Sequence, residues 1–256
     1  LDCSFSKLPA GWCAARKAEG YGALIQCLWP GGYANPITTA EANLRQAREA
    51  GLISCGYINT NPWFTAQVSV REAKKNAGAE WDFLDVVFND IEIAGVTEEQ
   101  CRAHTEAIVA EGKRTAIYSA KWFWDSIGNP QWPWLKQYGA WVADYDNDPN
   151  IATTALFGPF EIDDVVGKQY TNSTDLAGVT VDFNEFRDSF FQEEDQMPLT
   201  DEDIAKIVAA VGEDTHWRVT GILRAPEFDL DAIRVNVEEI KAALAAHTGS
   251  GSHSHE

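Results

Sequence analysis

Long hydrophobic runs are missing from this 256-residue chain. Nothing in it approaches the roughly 18 consecutive apolar residues of a membrane-spanning helix, and Leu1-Asp2-Cys3-Ser4 offers neither a basic segment nor an apolar signal core. A soluble protein without membrane insertion is expected. Basic residues are also scarce: 20 Lys and Arg stand against 39 Asp and Glu, a net charge of −19. That field repels phosphate backbones and anionic membranes, which argues against nucleic acid as a partner. Cysteines fall at 3, 13, 27, 55 and 101, an odd and scattered set with no Cys-x-x-Cys. They read as free thiols; Cys3, Cys27 and Cys55 sit in short apolar stretches as small buried hydrophobes, in keeping with synthesis in a reducing compartment. There is no Gly-x-Ser-x-Gly, and only His104, His216 and His247 lie outside the terminal tail, so a Ser-His-Asp enzyme is poorly supported. A phosphate-binding loop is lacking too. Asp144-Tyr145-Asp146-Asn147-Asp148 begins like a calcium loop but has Pro149 at the sixth position and Ala155 at the twelfth. No metal and no cofactor is expected.

What is present suffices for one large core and a small further module, with 45% hydrophobic and 11% aromatic residues. The first 188 residues alternate short β-rich runs with helical signals, the pattern of an α/β fold with a largely parallel sheet or barrel. The run Ala23–Trp29 ends at Pro30-Gly31-Gly32, and Thr38 with Glu41 predicts a capping box for a helix that stops at Gly51. Leu52–Asn59 predicts a second strand, followed by a helix over Val70–Ala77 closed by Gly78. Asp85–Glu92 predicts a strand that begins apolar and ends in acids, and Thr97 with Gln100 another capping box. Further strands are predicted at 115–119, 140–145, 167–170 and 179–182; with 1–5, about eight emerge. The remainder differs: residues 189–256 carry 14 acids and 5 bases, whereas residues 1–188 carry 25 and 15. The expected organisation is a barrel over 1–190, a linker over 191–199, an amphipathic helical appendage over 200–247 that oligomerises or targets, and a flexible tail over 248–256.

The residues most able to carry chemistry are Asp90 and Glu92. Two apart in a strand, they leave the same face with Cα atoms about 6.6 Å apart. Carboxyl ends of parallel barrel strands converge on one rim, which would add Asp2 from the first strand and Asp182 from the last. Crowded carboxylates raise the proton affinity of at least one member, and a partly buried Glu that keeps its proton near neutral pH is what a general acid needs. Glu92 is the choice for that proton. With 39 acids in the chain, chance Asp-x-Glu pairs are common and mostly solvated; this one closes an apolar run, where a solvated acid is not expected. Trp122, Trp124, Trp132, Trp134 and Trp141 cluster in one third of the chain. Aromatic faces stack on sugar rings, and they are equally ordinary core material.

Taken in order, Leu1-Asp2-Cys3-Ser4, Val87–Glu92, Ala116–Ser119, Trp141–Tyr145, Gly167–Thr171 and Val181–Asn184 make residues 1–188 resemble glycoside hydrolase family 25, the lysozyme-type muramidases that include many phage endolysins. The resemblance implies a flattened (β/α)8-like barrel and hydrolysis of the β-1,4 bond between N-acetylmuramic acid and N-acetylglucosamine in bacterial peptidoglycan, without cofactor. It implies Glu92 as acid/base, Asp2, Asp90 and Asp182 as the other acids of the site, Tyr118 as a sugar-contacting residue, and Trp141 and Tyr145 as cleft wall. A phage lysin would reside in the host cytoplasm before release to the wall. One departure stands out: Ile58-Asn59-Thr60-Asn61-Pro62 occupies the place of an aromatic-rich strand end. The competing expectation is a catalytically idle glycan-binding or structural virion protein on the same barrel.

Overall fold

In the computed structural model, residues 1–31 and 38–191 are described. The expected linker from 192 onward, the helices of 200–247 with any self-association through them, and the tail lie outside the described residues. Helix α1 (Trp12–Ala18) leads to strand β1 (Ala23–Trp29), followed by α2 (Ala40–Glu49), β2 (Ile53–Asn59), α3 (Ala66–Ala77), β3 (Val86–Asp90) and α4 (Glu98–Ala110). Then come β4 (Ile117–Ala120), α5 (Lys121–Ser126), β5 (Ala140–Ala143), β6 (Val165–Gln169), β7 (Thr174–Leu176), β8 (Val179–Val181), β9 (Asn184–Phe186) and α6 (Asp188–Phe191). The main sheet has the order β1-β2-β3-β4-β5-β6-β9. Its first six strands are parallel and β9 runs antiparallel to β6. The sheet curls into a half-barrel, with α2, α3 and α4 packed against its first strands.

The early strand–helix units follow the sequence closely. Each strand from β1 to β3 is almost wholly buried, because helices cover one face and the curl of the sheet encloses the other. Thr97 caps α4 with both bonds of the expected box: Gln100 N–H donates to its hydroxyl, and Gln100 Oε1 accepts from the Thr97 N–H. The box expected at Thr38 does not form. Helix α2 starts at Ala40, and Thr39 at its N-cap already has near-helical angles, so no side-chain cap bond is made; Glu41 bonds Arg45 instead. Helix α3 begins earlier than the predicted Val70, because the Thr65 hydroxyl accepts the Val68 N–H.

The eightfold strand–helix repeat does not continue to the end. Between β5 and β6 runs a loop with 3-10 turns at Ile151–Thr153 and Ile162–Asp164 in place of a helix. The cause is local: Asp146, Asp148 and Asn150 each accept the N–H two residues on, which draws the backbone into successive turns, and Pro149 removes a donor. The strand expected over Leu1–Phe5 is reduced to a bridge at Asp2, since Ser4 has φ 42° and turns the chain aside. Val179–Asp182 splits: β8 pairs with β7 in a small separate hairpin, turned through Ala177 (φ 54°) and Gly178 (φ 78°), and Asp182 alone pairs with Asp2. The seventh strand is β9, which crosses Gly167 so closely that a Cβ there would lie 2.4 Å from the Phe186 ring.

Two layers of core result. Inside the curl lie Ile25, Cys27, Cys55, Tyr57, Phe88, Tyr118 and Trp141; on the outer side of β4 to β6 lie Ile117, Phe123, Trp124, Leu135, Val142 and Phe157. The clustered tryptophans therefore part company. Trp124 is fully buried in the outer layer, Trp141 belongs to the inner one, and Trp122 is exposed. All five cysteines are buried and unbridged, as expected. No helix among the described residues is long and apolar enough to cross a membrane.

Candidate active site

The register of the parallel sheet sets Asn59, Asp90, Tyr118 and Trp141 in one row across β2, β3, β4 and β5. Side chains in such a row project to the same face. Asp90 is 5% exposed; its Oδ2 accepts from Asn59 Nδ2 at 2.5 Å, while its Oδ1 is buried without a partner among the described residues. Glu92 follows two residues later, just beyond β3, which ends at Asp90 short of the expected strand through Glu92; it is half-buried, and its Oε1 is likewise unpartnered. Burial holds the Glu92 carboxyl's proton from its ordinary 4.5 up to about 7. Burial and the neighbouring Glu92 raise Asp90 well above its usual range, against the Asn59 bond.

Asp2 and Asp182 are brought together as the other half of the ring. Their backbones exchange two hydrogen bonds, Asp2 N–H to Asp182 O at 3.0 Å and Asp182 N–H to Asp2 O at 2.8 Å. Asp2 Oδ1 accepts the Ser4 N–H at 2.9 Å, which the left-handed backbone of Ser4 aims at it. Burial, then the Asp182 charge, push Asp2 up to about 7. Burial also raises Asp182, opposed by the Ser173 N–H that donates to Oδ1 at 2.6 Å.

Gln169, at the end of β6, connects these groups and was not anticipated. Its Nε2 donates to Asp2 Oδ2 at 3.4 Å and to Asp182 Oδ2 at 3.3 Å. Its Oε1 accepts from Tyr118 at 2.6 Å and Tyr145 at 3.2 Å. Gln169 thus joins Asp2, Asp182, Tyr118 and Tyr145, and the charge of Glu92 adds to the burial that raises both tyrosines. Trp141 takes a different place from the expected wall: it is 1% exposed and lies beneath Tyr118, with Nε1 bonded to Asn184 at 2.9 Å. A polar residue closing a buried strand, as Gln169 and Asn59 both do, was the signal that could have found them. Gln26 is another buried polar residue, in the middle of β1; wholly buried, it accepts from Asn43 at 2.7 Å and donates to Ser4 O, fixing the turn after Asp2.

The acidic run at 144–148 has another use. Lys168, fully buried on the outer face of β6, places its ammonium 2.7 Å from Asp146 and 3.8 Å from Asp144. An internal cation thus answers those acids. No cluster of His, Cys, Asp and Glu among the described residues has the arrangement of a metal site.

The raised groups carry a stability consequence. A carboxyl whose folded pKa exceeds its unfolded one binds more protons when folded, so its contribution is present below the unfolded value and lost as pH rises through the folded value. For Asp2, raised from 3.8, and Glu92, raised from 4.5, both to about 7, the melting temperature should fall as pH is taken from about 4 to about 8. Calorimetric scans across that range check this; a melting temperature that rises steadily would contradict it.

Carboxyls gathered at the carboxyl ends of a curled parallel sheet, with Asp2, Asp90 and Glu92 all raised toward or beyond neutrality, have the chemistry that glycoside hydrolases use. The family model for glycosyl hydrolases family 25 matches residues 15–179. The chain belongs to that family. Among solved structures, it is similar to a family GH25 lysozyme from Aspergillus fumigatus (18% identity, TM-score 0.54, covering 68% of this chain and 87% of that one). It is also similar to GHIP, a glycosyl hydrolase 25 of Streptococcus pneumoniae described as a virulence factor participating in host cell invasion (13% identity, TM-score 0.53, covering 73% and 87%). These likenesses concern the fold. None of the curated proteins compared with the chain matches it.

Proposed function

We propose that the protein is a peptidoglycan hydrolase, an endolysin-like muramidase that cleaves the β-1,4 bond between N-acetylmuramic acid and N-acetylglucosamine. The observation that carries this reading is Glu92: a half-buried carboxyl that keeps its proton up to about 7, with Oε1 unclaimed by the protein. Protonated Glu92 delivers its proton to the glycosidic oxygen as the bond to the sugar breaks. Asp90, Asp2 and Asp182, when ionised, face the positive charge that develops on the sugar ring, and Tyr118 and Tyr145, hydroxyl to hydroxyl at 3.3 Å with their protons on Gln169, leave oxygen lone pairs at its edge. Residues 1–190 form the catalytic barrel in this reading, 191–199 a linker, and 200–247 a helical appendage that oligomerises or targets the wall.

Reducing-end release from purified peptidoglycan, with products identified by mass spectrometry, tests the proposal. Muramic-acid reducing ends are expected. Binding without release would identify a glycan-recognition protein instead. Because a net charge of −19 gives an anionic wall no electrostatic hold, turnover should change by less than roughly twofold between about 0.1 and 1 M salt. A steep fall in rate over that range, read from the same assay, would contradict recognition through the uncharged sugar and the cleft.

A further inference from the structure

Asn59 stands outside the acids assigned above, in the segment that departs from the family's wording. It closes β2 and lies opposite Asp90 in the sheet register. Among the described residues, its Nδ2 is the one side-chain donor to Asp90. Each carboxyl of the pair Asp90 and Glu92 presents one buried, unpartnered oxygen. Burial by itself favours the proton on Asp90, the deeper of the two. With the proton there, Glu92 would be the anion and would have nothing to transfer. An amide N–H bonds an ionised carboxylate more strongly than a neutral carboxyl, so this one hydrogen bond acts in the opposite sense.

We propose that Asn59 is a positioning residue whose amide favours the ionised form of Asp90 and so shifts the transferable proton of the pair toward Glu92. This rests on the acid/base reading above and deepens it. The other titratable groups that face Asp90 are Asp2 from the N-terminal segment, Cys27 on β1, Tyr57 on β2 and Tyr118 on β4. Burial keeps the thiol and both phenols neutral at any pH of activity, and a charge on Asp2 pushes Asp90 toward its protonated form. None of them can do what the amide does.

The test uses Asn59→Leu, which removes the donor at similar size, and Asn59→Asp, which keeps the shape and replaces the donor with a further acid. Thermal melts report the fold of each. Carbon-13 NMR titration of the Asp and Glu carboxyls, without substrate, reads Asp90 directly. Its titration point should rise by about one pH unit in Asn59→Leu and further in Asn59→Asp. In reducing-end kinetics the acidic limb of kcat should move up with it. At the optimum, kcat should fall about tenfold and KM should stay within about threefold. An unmoved or lowered Asp90 titration overturns the proposal, as does a rate loss of equal size at every pH. Absence of release by the wild type would overturn the hydrolase reading instead, and the NMR titration would still decide what Asn59 does to Asp90.

Discussion

Replacing Glu92 by glutamine should lower the rate of glycosidic cleavage by about 10³-fold while the protein stays folded. General acid catalysis by one positioned group is worth roughly 10²–10⁴-fold, and an amide of the same size fills the site without a proton to give. The substitution also removes a desolvated carboxyl from beside Asp90, whose proton affinity Glu92 helps to raise. The variant should therefore melt at or above the wild-type temperature near pH 8. Binding of peptidoglycan should survive. Reducing-end release and a thermal melt on the same preparation check both halves; a variant that still clears cell walls would sink the assignment of Glu92.

The second large effect is expected at Trp141. Its indole lies against Phe88 at 4.6 Å and Tyr118 at 4.3 Å between ring centroids, with Phe186 at 5.7 Å. Truncation to alanine removes the largest side chain of the inner layer and leaves a void that a curled sheet cannot close. A loss of about 3–5 kcal/mol follows from such large-to-small changes, and with it roughly 10 °C in melting temperature for a unit of this size. Activity should fall as well, because Tyr118 loses the surface that sets its hydroxyl on Gln169. Trp141→Phe keeps most of the packing but leaves Asn184 Oδ1 without its donor, and should cost about 1–2 kcal/mol. Denaturant midpoints for the two variants give the comparison; equal costs would mean that the hydrogen bond, and not the packing, dominates.

The half of the fold written in long, uniform signals was legible before any coordinates. Ala23–Trp29, Leu52–Asn59 and Asp85–Glu92 are apolar runs long enough to be strands, and the last displays its two acids at the end that faces the site. The Thr97 capping box is a pattern with a single geometric solution. Legibility fails where tertiary pairing makes the element. Strand β9 is three residues with no apolar run, and exists because β6 offers it an edge. Asp2 and Asp182 have no neighbours in sequence that mark them; they were expected only because the ends of parallel strands converge on one rim, and the backbone pairing that joins them follows from the closure of the chain on itself. Gln169 is a polar residue among buried ones, and what it joins could not be known until four residues far apart in the chain were placed. The tryptophan cluster was ambiguous for the same reason, since an indole in a core and an indole in a cleft look alike in a sequence.

The mutual pairing of Asp2 with Asp182 bears on when during synthesis the site can form. A ribosome adding roughly 5–20 residues per second must synthesise nearly all of the described unit before these two segments can meet. Until then Asp2 pairs only with Ile25 on β1, Gln169 and Asp182 are absent, and the group of acids is incomplete. Nascent or prematurely terminated chains thus carry Asp90 and Glu92 without the acids that face them, and the site is whole only when the unit is effectively complete.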